Sequence, residues 1–141
     1  MSARTLLAAA ALLLALPGAT VFACGVCIED RIATVYDHAV VIKALGQKHH
    51  VGFFGIDGLP TADEALLYEI RETAESINGV DKGSVRISVE TGALSVAFDP
   101  QRVPIVELRE VLRRKLAEMK LSVFPLRVID GPAMMKAAGT E

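Results

Sequence analysis

The only two cysteines of the chain stand three residues apart, in Cys24-Gly25-Val26-Cys27. Two thiols at this spacing can converge on one soft metal ion, or cycle between a dithiol and a disulfide. Both chemistries need thiolate character, which the N–H groups and macrodipole of a helix N-terminus favour. Two thiolates in near-linear geometry suit Cu(I), and with added nitrogen ligands they suit Zn(II). A chain cleaved after Ala23 would add the α-amino group of Cys24 as a third candidate ligand. A stapling role explains the pair poorly, because a bond between them closes a tiny loop and removes little chain entropy. Cys24 and Cys27 are therefore the predicted metal ligands, with a redox pair as the alternative.

Other donors add little. His38 lies eleven residues beyond Cys27, about 16 Å along a continuous helix, too far to share its ion. It reads as a helix-face histidine bonding a neighbour, with Tyr36 and Asp37 forming a small polar cluster around it. His49 and His50 could join a metal site, but adjacent side chains in a strand point opposite ways, so only one would do so easily. A solvated turn is the plainer reading of both. Met134 and Met135 could offer thioethers to Cu(I), yet a flexible tail accounts for them. No Ser/His/Asp arrangement, phosphate-cradling glycine loop or thioredoxin-like strand ahead of the C-x-x-C is present, so the expectation is a non-enzyme.

The residues before the pair suggest where the protein works. Arg4 precedes the apolar run Leu6 to Leu16, followed by Pro17-Gly18 and the small residue Ala23. This is the pattern of a secretory signal peptide, and the run falls short of the roughly 20 residues a membrane-spanning helix needs. The expected location is periplasmic or secreted, with a mature chain starting at Cys24. A cysteine in that position is also where lipoprotein processing attaches lipid, although bulky Phe22 fits a lipobox badly. A lipidated Cys24 would be lost as a ligand and would hold the protein on a membrane. Of the 15 basic and 17 acidic residues, only Arg4 precedes Cys24, so the mature chain carries a net charge of −3 with histidines neutral. With no basic stripe to neutralise phosphates, nucleic acid is not an expected partner.

Four segments are predicted: a signal peptide over 1–23, a C-x-x-C helix over 24–49, a domain over 50–130 and a flexible tail over 131–141. In the helix, Ile28, Ile32, Val35, Ala39 and Ile42 form one apolar stripe, and Gly46 suits its stop. A strand follows at His50–Asp57, whose glycines suggest close approach by another element. A helix over Thr61–Ile77 carries a Thr61/Glu64 capping box and ends at Asn78-Gly79. Ser84 to Glu90 alternates with period two, Thr91-Gly92 turns the chain, and Leu94, Val96 and Phe98 alternate in the return strand. Pro104 opens a third helix burying Ile105, Leu108, Val111, Leu112, Leu116 and Met119. The last strand, Leu121–Ile129, contains Pro125 and so belongs at an edge or a bulge.

From His50 onward the order is strand, helix, strand, strand, helix, strand. That makes an α+β protein, a ferredoxin-like βαββαβ sandwich with an added N-terminal helix. Asn78-Gly79-Val80, the hairpin, Val96-Ala97-Phe98-Asp99-Pro100 and then Val103 with its helix resemble the heavy-metal-associated domain. That family includes copper chaperones and the N-terminal domains of metal-pumping ATPases. The resemblance spans His50 to Ile129 and implies a metal-handling domain with a protein partner for metal transfer. In that family the loop after the first strand carries Gly-Met-x-Cys-x-x-Cys. Here the equivalent stretch is Gly58-Leu59-Pro60-Thr61-Ala62-Asp63-Glu64, with Thr61 and Glu64 where the cysteines would be. The family's site is absent from its usual place, and the chain's C-x-x-C sits on the added helix.

That helix needs a surface on which to bury its stripe. The uncovered sheet face would carry the small residues Ser88, Ala93, Ser95 and Ala97, so the 27–48 helix is expected to pack there, or else to form a dimer contact. The functional expectation is an exported metal-binding protein holding a thiophilic ion such as Cu(I) at Cys24 and Cys27, in metal transport or homeostasis. The alternatives are a periplasmic thiol–disulfide protein and a non-catalytic protein-binding module, lipid-anchored where Cys24 is acylated.

Overall fold

A computed structural model describes residues 27–61 and 63–131; the segment 1–23 expected to be a signal peptide, Cys24, and all but the first residue of the expected 131–141 tail, with Met134 and Met135, lie outside the described residues. In chain order the elements are α1 (Ile28–Val35), α2 (His38–Gly46), β1 (His50–Asp57), α3 (Glu64–Glu75), β2 (Arg86–Ser88), β3 (Ala93–Phe98), α4 (Ile105–Ala117) and β4 (Ser122–Ile129). The four strands form one sheet in the order β2-β3-β1-β4, every neighbouring pair antiparallel. This is the ferredoxin-like βαββαβ topology expected from the sequence. None of the described helices is long and apolar enough to cross a membrane.

Side-chain alternation along the strands supplies two cores, one on each sheet face. Phe54, Ile56, Leu94, Val96 and Phe98 pack with Ile70 and Ala74 of α3 and with Leu108, Leu112 and Leu116 of α4. Val51, Phe53, Ala93, Ala97 and Ile129 point the other way and pack with Ile32 and Val35 of α1 and Val41 and Ala44 of α2. The expected docking of the N-terminal segment on the small-residue face is therefore observed. Ala93 and Ala97 are in the second core, and the buried Ser95 hydroxyl donates to the Val35 carbonyl at 2.8 Å.

The glycines of β1 allow a close approach. A Cβ on Gly55 would lie 2.1 Å from the ring of Phe124, the residue opposite it on β4. Only a residue without a side chain lets that ring lie against the strand. Pro125 sits as expected: β4 is an edge strand, and the register slips between Phe53 and Phe54, so that Leu126 is the extra residue of a bulge.

Three expectations need correction. The segment 27–49 is two helices, because Tyr36 and Asp37 are extended (ψ 118° and 110°) and the Asp37 carboxylate caps α2 by accepting from Ala39 N–H and Val40 N–H. The break resets the helical phase. Ile32 and Val35 of the expected stripe are buried, but Ile42 is 45% exposed and Val41 and Ala44 face the sheet instead. The second correction concerns α3, which is capped by Asp63 rather than Thr61, Oδ1 accepting from Ala65 and Leu66 N–H. An aspartate immediately ahead of the first turn fills the role of the capping box. Third, the strand expected over Ser84–Glu90 keeps only Arg86–Ser88: the Ser84 hydroxyl ties into Asp81 and Ala97 ahead of it, and Val89 and Glu90 belong to the turn that follows.

If the second core is integral to the fold, Phe53→Ala should destabilise the protein by about 3–5 kcal/mol in chemical denaturation. A loss below about 1 kcal/mol would show that α1 and α2 contribute little to the folded state.

Candidate metal centre

Cys27 is the N-cap of α1, extended at φ −61° and ψ 156°, and its carbonyl accepts the first intrahelical bond from Arg31 N–H at 3.0 Å. Its side chain makes no capping bond and is exposed. The thiol is thus directed to solvent and is not spent on the helix end. Glu29 and Asp30 fill the first turn, where carboxylates suit the helix dipole. Cys24, the predicted partner ligand, lies outside the described residues.

The rest of α1 is pinned across the sheet at successive points. Glu29 forms a two-bond ion pair with Arg127 of edge strand β4. The Arg31 guanidinium lies 5.1 Å from the Phe124 ring centroid and donates to the Gly92 carbonyl at 3.0 Å, with Asp57 3.8 Å away. The hydroxyls of Thr34 and Thr91 meet at 2.7 Å, and Ser95 holds the last carbonyl of the helix. The helix therefore runs from the β4 edge towards the β2–β3 turn, leaving Cys27 at the β4 end. Of these anchors, the exposed Glu29–Arg127 pair contributes little energy on its own. The buried Ser95 bond contributes more, because a buried carbonyl left without a donor costs about 1–3 kcal/mol.

Asp37 fixes the turn between the two helices. Besides capping α2, its carboxylate binds Arg86 of β2 through both Nε and Nη2, each at 2.9 Å. The N–H of Val40 and then the Arg86 guanidinium hold the Asp37 carboxyl below the usual carboxylate range.

The loop after β1 carries no thiol. Gly58 adopts φ +94°, Leu59, Pro60 and Thr61 lead to the Asp63 cap, and Glu64 is an exposed residue of the first turn of α3. Neither Thr61 nor Glu64 is arranged as a ligand: among the described residues no three His, Cys, Asp or Glu side chains converge to hold a metal.

The histidines divide as follows. His38 is exposed and accepts or donates at 3.3 Å to the Tyr36 hydroxyl, in keeping with a helix-face histidine bonding a neighbour. His50 stands edge-on to Phe98, with ring centroids 5.7 Å apart. His49 does not sit in a solvated turn. It is half-buried between two carboxylates, Nδ1 lying 2.9 Å from Asp81 Oδ2 and Nε2 lying 3.8 Å from Asp99 Oδ2. Sequence spacing gave no sign of this cluster, since its members lie on three separate connections brought together only by the sheet.

No protein-family profile matches the chain, and no curated protein does. Among solved structures the chain is similar to the yeast copper transporter domain CCC2A, at 19% identity over 55% of this chain and 96% of that one, with a TM-score of 0.43. It is also similar to oxidised MerP from Ralstonia metallidurans CH34, at 17% identity over 55% and 96% of the two chains and a TM-score of 0.43. A third is the N-terminal domain of a potential copper-translocating P-type ATPase from Bacillus subtilis, at 16% identity over 59% and 94%, with a TM-score of 0.45. The fold assignment rests on the strand order and pairing of this chain itself.

The depressed Asp37 carboxyl sets a pH dependence with a definite sign. A carboxyl lowered in the folded state stabilises above its unfolded value and loses that contribution as pH falls through the folded value. Amide hydrogen exchange at Ala39 and Val40 should therefore accelerate, relative to the sheet amides, as pH is lowered below about 4. An Asp37→Asn variant should lose most of that pH dependence. Unchanged relative protection down to pH 2 would refute the role given to Asp37.

Proposed function

We propose that this protein is exported and holds a single thiophilic metal ion, Cu(I) above others, between Cys24 and Cys27, for transport or homeostasis of that metal. The observation that carries the reading is the placement of Cys27. Its thiol is exposed, unused by the helix it caps, and mounted on a helix anchored at several points across a sheet. Soft thiolates select Cu(I) over hard cations, and two of them satisfy its low coordination number. A site open to solvent lets a partner protein's ligands enter and take the ion by exchange. Nothing in this role needs catalysis, and none is proposed.

Export is the reading that the leader supports: Arg4, the apolar run and Ala23 precede the pair in the order that a signal peptide requires. It would place the thiols in an oxidising compartment, where they must be reduced to bind metal. The domain would then serve as the scaffold of the site. The loop that carries cysteines in the family it resembles holds only a helix cap here.

The direct test is titration of the reduced, unlipidated mature protein with Cu(I) against a chromophoric chelator. One equivalent should be withdrawn from the chelator. Cys27→Ser should weaken binding at least a hundredfold, since one thiolate cannot form the two-coordinate clamp. Equal competition by the wild type and Cys27→Ser would exclude the clamp. A reductant-reversible loss of two hydrogens without metal uptake would favour the redox alternative.

A further inference from the structure

The His49 cluster holds an imidazole between two carboxylates, one at each ring nitrogen. A carboxylate can only accept, so the 2.9 Å contact between His49 Nδ1 and Asp81 Oδ2 requires the ring proton to be on Nδ1. In the neutral ring Nε2 then carries a lone pair. That atom lies 3.8 Å from Asp99 Oδ2, so an imidazole nitrogen and a carboxylate oxygen stand close enough to share one cation. Their side chains are only about a fifth to a quarter exposed, 21% for His49 and 24% for Asp99, so both are held largely out of bulk water.

We propose that His49 Nε2 and Asp99 Oδ2 form an open binding site for a borderline divalent cation of the Zn(II) type, distinct from the thiol pair. Imidazole nitrogen and carboxylate oxygen are the donors such ions take. Bonds of about 2.0 Å meeting at a tetrahedral ion hold their ligand atoms roughly 3.3 Å apart, so a side-chain shift of about half an ångström closes the observed gap.

Both ligands are already oriented by outer contacts, the arrangement that metal sites use to fix their donors. Asp81 fixes the tautomer and rotation of the His49 ring. The other oxygen of Asp99, Oδ1, accepts from Gln101 N–H at 2.9 Å, and Asp99 N–H donates to the Gly79 carbonyl at 2.8 Å, leaving Oδ2 for the ion. Asp81 cannot bind the same ion, because it faces the opposite side of the ring. With two protein ligands, water completes the coordination and the ion exchanges readily. Occupancy would tie the α2–β1 junction to the β3–α4 turn.

The test uses the full protein carrying Cys24→Ser and Cys27→Ser, so that a failure of the thiol site has no bearing on it. Zn(II) is added at pH 7.5 while the imidazole nitrogens are followed by long-range proton–nitrogen correlation. The His49 Nε2 resonance should move and saturate at one equivalent, with His38 and His50 unmoved. Asp99→Asn should weaken binding at least tenfold, and Asp81→Asn by about tenfold through loss of ring orientation. Thermal unfolding of both variants confirms that they are folded. No movement of His49 at millimolar Zn(II) would overturn the proposal whatever the variants do, as would equal affinity in a folded Asp99→Asn protein. In either case an imidazolium shared by the two carboxylates would account for the cluster.

Discussion

A sheet with α3 and α4 on one face has a second face that must be covered, and the covering of that face governs everything else in this structure. Val51, Phe53 and Ile129 turn towards it, and water in contact with them would cost on the order of 1.5–3 kcal/mol for each large side chain. The chain meets this with its own N-terminal segment. Ala93 and Ala97 keep the central strand low enough for helices to approach. Ser95 supplies the hydrogen-bond donor that the end of α1 would otherwise lack.

Much of this was legible in the sequence because it follows from periodicity. The alternation of Leu94, Val96 and Phe98 marked the face of β3 that packs on α3 and α4. Small residues at Ala93, Ser95 and Ala97 marked the face that a helix could approach, and Pro125 marked the edge. What escaped was set by single capping residues or by long-range convergence. In the sequence Asp37 reads as a polar residue on a continuous helix, but it caps a new one, and the phase of the later residues of that segment shifts with it. Asp63 took the cap given to Thr61 for the same local reason. His49 was illegible because Asp81 and Asp99 lie 32 and 50 positions further along the chain, and only the folded sheet brings the three together.

The arrangement also bears on where Cys27, one of the two proposed ligands, is carried. In the resembled family a loop at the end of the first strand holds the thiols. Here that loop is occupied by the turn into α3 and its Asp63 cap. Burial of Ile32 and Val35, with Arg31 lying over Phe124, gives α1 a fixed course across the sheet. The ring can lie there because Gly55 has no side chain to displace it. A thiol on such a mount is presented at the β4 edge with a defined direction, which a thiol on an unanchored segment would lack.

The central claim is that a thiophilic ion is held at the head of α1 and not in the loop after β1. Backbone amide chemical-shift mapping of the reduced protein, with and without one equivalent of Cu(I), tests it most directly. The account predicts perturbations concentrated at Cys27 through Arg31 and at Arg127 across the Glu29 ion pair, with Gly58, Leu59 and Asp63 unmoved. Perturbations centred on residues 58–64, with the head of α1 silent, would contradict it.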